Sequence, residues 1–200
     1  MGQATVFFLI RHGEAVENVL NIPDSFPGNP AYGLTENGRE QVKASAKEVS
    51  IEGIDVLFAS PMRRTKETAE IVSSACDNIP IVFDNRLRET DFGIWSGQPG
   101  ERFNGNQGKY HDPSLRVEGN EEEGLEGFVD IRIRVGEFLR DILTVHAGKR
   151  IAIVSHGDPI EQLHGILVGD DVAAAATGWY PKRGSATRIE MDSDAVSRLL

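Results

Sequence analysis

Four short stretches hold the residues able to do chemistry: Arg11-His12-Gly13-Glu14, Ser60 to Arg64, Glu89, and Ser155-His156-Gly157-Asp158. Two arginines, two histidines and a carboxylate suit phosphoryl chemistry. Arginine matches phosphate with a bidentate fork. A neutral imidazole can attack and form a covalent intermediate. A carboxylic acid can protonate the leaving oxygen. The transferred phosphoryl group is loose and highly charged, so positioning and electrostatics carry most of the catalysis. A lone histidine after a strand is more often structural than catalytic. Two His-Gly ends in one chain argue for a shared site.

A rival reading uses the same residues. His12-x-Glu14 and His156-x-Asp158 could be metal ligands in a metallohydrolase. Against it, no further His or Asp cluster accompanies them, and two arginines beside a cation are unhelpful unless phosphate intervenes. His111, His146 and His164 have no supporting pattern and read as structural.

The elements that must position these groups follow from hydropathy. Val6 to Ile10 is an unbroken apolar run, as expected of a strand buried on both faces. Arg150 to Ser155 and Asp55 to Ala59 read the same way, and Ile81 to Phe83 is a shorter strand. Polar groups then fall at the C-terminal strand ends, where open α/β sheets bind ligands. Thr35 caps a helix bearing Val42, Ala46 and Val49. Ser60 is an N-cap candidate, with Pro61 at the first position of a helix over 62–76 whose Ala69, Val72, Ala75 and Cys76 face inward. Phe128, Ile131, Val135, Phe138 and Ile142 make a long helical stripe, with Glu121 to Glu123 placed for its N-terminus. Asp158-Pro159 opens another helix, 172–177 a short one, and 186–191 alternates like an edge strand. The last residues read as a loose tail. Strands alternating with helices imply an α/β three-layer sandwich with a mostly parallel central sheet.

The 200 residues fit one domain, 1–200. The net charge of −10 argues against a nucleic-acid or anionic-membrane partner. It does not exclude an anionic small substrate, because a pocket can be locally basic. Cys76 is the only cysteine, which suits a reducing compartment. No leader, lipidation signal or membrane span is legible, so the expectation is a soluble cytoplasmic protein.

Taken together the motifs resemble the histidine phosphatase superfamily, the phosphoglycerate mutase-like clan. The resemblance rests on Arg11-His12-Gly13-Glu14 with Asn18, Leu34-Thr35 with Gly38, Ser60-Pro61 with Arg64 and Thr68-Ala69, Leu87-x-Glu89 with Phe92-Gly93, and Ser155-His156-Gly157, closing on Ser185-x-Thr187-x-Ile189. It implies a phosphoglycerate mutase-like fold. His12 would be the nucleophile that becomes phosphohistidine. Arg11, Arg64 and His156 would bind the phosphoryl oxygens, with Asn18 and Gly157 also at the substrate. Glu89 would be general acid and then base, and Glu14 a supporting group. No metal or organic cofactor is implied.

The segment between Glu89 and His156 is rich in Glu and Gly, whereas the mutases it resembles carry a longer, basic one. The family's Gly-Glu-Ser before the long helix is replaced by Glu122-Glu123-Gly124, so no serine is present for the contact it would make. These departures favour a histidine acid phosphatase-type phosphomonoesterase over a mutase. A non-catalytic phospho-ligand-binding protein is the third reading. Residues 98–120 are expected to be a loop or lid, in which Arg102, Lys109, His111 and Arg116 could reach distal groups of the substrate. The partner expected is a small phosphomonoester or a phosphoprotein. Oligomeric state is not legible.

Overall fold

In a computed structural model, which describes residues 3–199, Thr5–Arg11 (β1), Val56–Ala59 (β2), Ile81–Phe83 (β3), Arg150–Ser155 (β4) and Ala186–Met191 (β5) form one sheet. Its order is β3-β2-β4-β1-β5. All neighbours are parallel except β5, which runs antiparallel to β1 at one edge. Among the described residues eight α-helices accompany it: Val16–Leu20 (α1), Glu36–Glu52 (α2), Arg63–Ala75 (α3), Gly100–Asn104 (α4), Phe128–His146 (α5), Gly157–Val168 (α6), Val172–Thr177 (α7) and Ser193–Ser197 (α8).

The apolar runs are continuous because both faces are covered. Phe7, Leu9, Ile151 and Ile153 point to one side, into a core shared with Ile131, Val135 and Phe138 of α5 and with Ile160 and Leu163 of α6. Val6, Phe8, Ile10, Ala152 and Val154 point to the other, against Val42, Ala46 and Val49 of α2 and Ala69 and Val72 of α3. Burying such a side chain fully is worth about 1.5–3 kcal/mol. The three-layer α/β sandwich expected from the sequence is the observed architecture.

Four local expectations are corrected. Met62, not Ser60, is the N-cap of α3, because the Ser60 hydroxyl is committed elsewhere. Ala75 at the end of that helix is exposed and Cys76 half-buried. Glu121–Glu123 form a 3-10 turn of their own, and α5 begins later, at Phe128. The C-terminal tail forms α8, which buries Val196 in the core.

Residues 98–120 are more ordered than a loop. They contain α4 and a 3-10 turn at Pro113–Arg116. Phe103 and Tyr110 pack with Leu125, Phe92 and Trp95 into a small separate core. Tyr110 and Trp95 both donate to the Glu123 carboxylate, at 2.7 and 2.9 Å. Two aromatic anchors set apart by glycines make no helical or strand period, which is why this packing was not visible in the sequence. Among the described residues no helix is long and apolar enough to cross a membrane.

Candidate active site

Register brings the two histidines together. Arg11 pairs with Ser155 across β1 and β4, so His12 and His156 are the first residues past paired strand ends. The His12 amide still donates to Ser155 at 3.0 Å, and the Ser60 amide to Val154 at 2.9 Å. The imidazoles meet edge to face with centroids 5.2 Å apart.

His12 leaves the strand through a crowded turn. A Cβ on Gly13 would lie 2.2 Å from the Gly38 carbonyl oxygen, and one on Gly38 would lie 1.9 Å from that of Glu14. Only glycine at both positions lets the loop and the first turn of α2 approach this closely. Gly38 is therefore a packing requirement in a helix turn where it otherwise weakens propensity. Thr35 caps α2 by accepting from the Gly38 amide and also donates to the Glu14 carboxylate at 2.7 Å. Glu14 is turned to this cap and does not line the cavity beside His12.

The tautomer of His12 follows from its partner. Nδ1 lies 2.8 Å from the Gly13 carbonyl oxygen, which can only accept. The proton is therefore on Nδ1, and Nε2 presents a lone pair. Burial, reinforced by the Arg64 and Arg11 guanidinium groups, holds the ring well below the ordinary histidine pKa. His12 is thus neutral, as an attacking imidazole must be.

Arg64 reaches the same point from the first turn of α3. Its Nε donates to His156 Nδ1 at 3.2 Å, and Nη1 donates to Asp24 Oδ2 at 2.7 Å. Glu17 lies 3.3 Å from Nε. His156 must then carry its proton on Nε2, which donates to Ser60 Oγ at 2.8 Å. This ring is wholly buried and lies beneath the cavity rather than in its wall. Burial and the nearby Arg64 lower its pKa as well. Sequence reasoning missed Glu17 and Asp24 as the groups that hold Arg64. Glu17 lies in the short α1 and Asp24 just after Pro23, where nothing in the local pattern marks a buried carboxylate.

Glu89 follows the 3-10 turn after β3. Buried Leu87 anchors that turn, and Ser155 Oγ donates to the Leu87 carbonyl at 2.7 Å. Glu89 Oε1 accepts from the Thr90 amide at 3.0 Å, and Oε2 lies 3.8 Å from His156 Nδ1. Burial and the neighbouring Asp158 carboxylate push its pKa up to about 7. Asp158 is the opposite case. Burial opposes its ionisation, but Arg116, Thr90 and Tyr180 outweigh it and keep the carboxyl below its usual value. Thr90 donates to Asp158 at 2.6 Å and the Tyr180 hydroxyl at 3.2 Å, and Arg116 forms an ion pair with it.

Arg11, His12, Asn18, Arg64 and Glu89 all line one cavity of about 160 Å³. Arg11 is held by the Pro181 carbonyl at 2.8 Å and lies 4.9 Å above the Tyr180 ring, while its Nε has no partner. Asn18 Oδ1 accepts from the Ala15 amide at 3.1 Å, which fixes the side chain. Gly157 is not in the wall. A Cβ there would strike the Tyr180 hydroxyl at 1.9 Å, so its smallness makes room for that ring. Arg116, read from the sequence as able to reach distal groups of the substrate, and Asp158, read as a candidate metal ligand, also line the cavity, as do Tyr180 and Arg183, which the sequence did not single out. Of the lid residues, Lys109 is bound to Glu123, Arg102 is exposed, and His111 faces a second, adjacent cavity. His146 packs against Phe58 and His164 stacks on Trp179, as structural residues do.

The ligand atoms of His12, Glu89 and His156 lie within 4.8 Å of one another. They do not fit a cation. One nitrogen of His12 is engaged by a carbonyl, and both nitrogens of His156 are engaged, one of them by a guanidinium. Glu14 and Asp158, the carboxylates of the metallohydrolase reading, are turned to Thr35 and to Arg116. The arrangement instead provides a neutral nucleophile, two guanidinium groups and a protonatable carboxyl around a phosphate-sized space.

Residues 7–198 match the family model "Histidine phosphatase superfamily (branch 1)". The chain is 29% identical over 169 residues to phosphoserine phosphatase 1 of Hydrogenobacter thermophilus, covering 82% of this chain and 77% of that one. It is 30% identical over 163 residues to a probable phosphoglycerate mutase GpmB of Yersinia enterocolitica, covering 81% and 74%. Its fold superimposes on a solved structure titled "Mycobacterial hydrolase 1" with a TM-score of 0.82 at 22% identity, covering 94% and 92%. The chain belongs to the histidine phosphatase superfamily.

Proposed function

We propose that the protein is a metal-independent phosphomonoesterase that works through a phosphohistidine on His12. The observation that carries this is the His12–Gly13 hydrogen bond, which leaves Nε2 unprotonated beside Arg11 and Arg64. Nε2 attacks phosphorus, and the bond to the leaving oxygen breaks. Glu89, protonated in its buried setting, gives its proton to that oxygen. As a carboxylate it then takes a proton from water, whose oxygen attacks the phosphohistidine and restores His12.

Arg11 and Arg64 hold the phosphoryl oxygens, with Asn18 at the cavity wall. His156 joins them when its proton sits on Nδ1 and Arg64 Nε, now donating to that atom at 3.2 Å, turns to the phosphoryl oxygens. The Ser60 hydroxyl makes that possible, because it accepts from Nε2 in one tautomer and donates to it in the other. Gly157 contributes by admitting Tyr180.

Mutase relatives make phosphoryl transfer between hydroxyls the second reading. Hydrolysis is favoured because the segment between Glu89 and His156 is rich in Glu and Gly, unlike the longer, basic one of the mutases the chain resembles. The deciding experiment supplies a phosphorylated three-carbon acid and follows both products. Free phosphate, absent with His12→Ala, supports the phosphatase; isomer without phosphate supports the mutase. The substrate is a small phosphomonoester, and the acidic chain remains a poor partner for nucleic acid.

A further inference from the structure

Next to the phosphoryl cavity lies a second, of about 990 Å³. The two share Arg11, Asn104, Arg116, Asp158, Tyr180 and Arg183, so a group esterified to a phosphate at His12 projects into the larger one. This volume reaches the upper end of the roughly 300–1,000 Å³ that encloses whole small molecules. A three-carbon acid would leave most of it to water.

The walls are chemically divided. On one side Glu161 of α6 is 4% exposed, and its Oε2 has no hydrogen-bond partner. An unmatched buried carboxyl oxygen in a cavity wall is a recognition group awaiting a ligand. At the mouth stand Lys182 and His111, both exposed, with Arg183 between the two cavities. With Arg11 and Arg116, the Lys182 and Arg183 side chains outnumber the Asp158 and Glu161 carboxyls of this lining, in a chain of net charge −10. The half-exposed Tyr180 ring, with Arg11 over one face, adds apolar surface to the wall, while Phe128 lies buried behind Arg116.

We propose that this cavity is the leaving-group site and takes a sugar-sized polyol with a second acidic function, one hydroxyl bonded by Glu161 and the acid met by Lys182. The proposal rests on the phosphatase reading above. The chemistry of Glu161 agrees with it. Burial, with Asp158 nearby, pushes its carboxyl up to about 8, so at neutral pH it carries a proton and can both donate to and accept from a hydroxyl.

Four esters of primary alcohols test size and charge separately: glycerol 3-phosphate, 3-phosphoglycerate, glucose 6-phosphate and 6-phosphogluconate. The expected result is a kcat/KM about tenfold or more higher for the six-carbon pair, and highest for 6-phosphogluconate. Lys182→Ala should remove only the advantage of the acid. Glu161→Ala should remove only the advantage of the polyol, and Glu161→Gln should restore part of it. Phosphate release from glycerol 3-phosphate should fall less in both variants than release from the six-carbon esters. Equal turnover of three- and six-carbon esters, or a uniform loss in the variants on all four, overturns the assignment. If none of the four is hydrolysed, the phosphatase reading is what fails. Calorimetric binding of the same esters to His12→Ala then decides the cavity by the same order of affinity.

Discussion

The imidazole of His12 donates through Nδ1 to the carbonyl of its own neighbour, Gly13, at 2.8 Å. That contact needs no second side chain, only the tight turn that Gly13 and Gly38 permit. It fixes the tautomer and aims the unprotonated Nε2 away from the backbone. Gly38→Ala should therefore act at a distance. The added methyl pushes the Glu14 carbonyl and with it the turn that carries His12. We expect kcat to fall by about 10²-fold, the scale of a small misplacement of a catalytic group. Circular dichroism should still report a folded protein, and full activity in Gly38→Ala would refute the link.

In the proposed mechanism Glu89 would set the alkaline limit of the reaction. It is useful as an acid only while protonated, and its pKa is raised to about 7. His12 is held well below its ordinary value and so stays neutral into acid pH. The value of kcat/KM should accordingly be flat in mild acid and fall as pH rises through about 7. Asp158→Asn removes the negative charge that disfavours ionised Glu89, so the descending limb should move to lower pH. A limb that stays in place would show that Asp158 does not act on Glu89.

Leaving-group chemistry offers an independent check on Glu89. Glu89→Gln keeps the shape and loses the proton. Hydrolysis of an alkyl phosphate should drop by roughly 10²–10⁴-fold, the usual contribution of general acid catalysis. Formation of the phosphoenzyme from p-nitrophenyl phosphate, whose leaving group needs no proton, should drop far less. Equal losses on both would assign Glu89 a role other than proton donor.

Two buried carboxyls make stability depend on pH. Glu89 and Glu161 have folded-state pKa values raised to about 7 and about 8. Their folded forms hold protons that the unfolded chain has released, so their contribution to stability falls as pH rises from the ordinary glutamate value of about 4.5 to about 7 and about 8. Glu161→Gln should raise the thermal midpoint at pH 9 and leave it little changed at pH 5. Removing a partner from the neighbouring buried pair has the opposite sense. Arg116→Ala leaves Asp158 uncompensated and should cost about 3–5 kcal/mol in denaturant unfolding.

Much of this site is legible in the sequence because it is built from strand ends. Unbroken apolar runs announce strands covered on both faces, and a parallel sheet sends their C-terminal ends to one edge. His12, Arg64, Glu89 and His156 follow from that and from the motif pattern. What surrounds them does not. Ser60 looks like a helix cap and is instead the partner of His156, a contact across 96 positions of chain. Asp158 looks like a helix start or a metal ligand, and it is the centre of a network with Thr90, Arg116 and Tyr180. Glu17 in α1 and Asp24 after Pro23 are buried where both pair with Arg64. Pairings of buried charges leave no periodic trace, since each partner is placed by the fold and not by its neighbours.

The account stands most directly on the covalent bond to His12. The measurement is a rapid acid-free quench of the enzyme during turnover of a phosphomonoester, followed by peptide mass spectrometry. A phosphoryl group on His12 that survives base, is lost in acid and is absent from His12→Ala is the predicted result. An active enzyme that shows no such species, or carries its phosphoryl group on another residue, would contradict it.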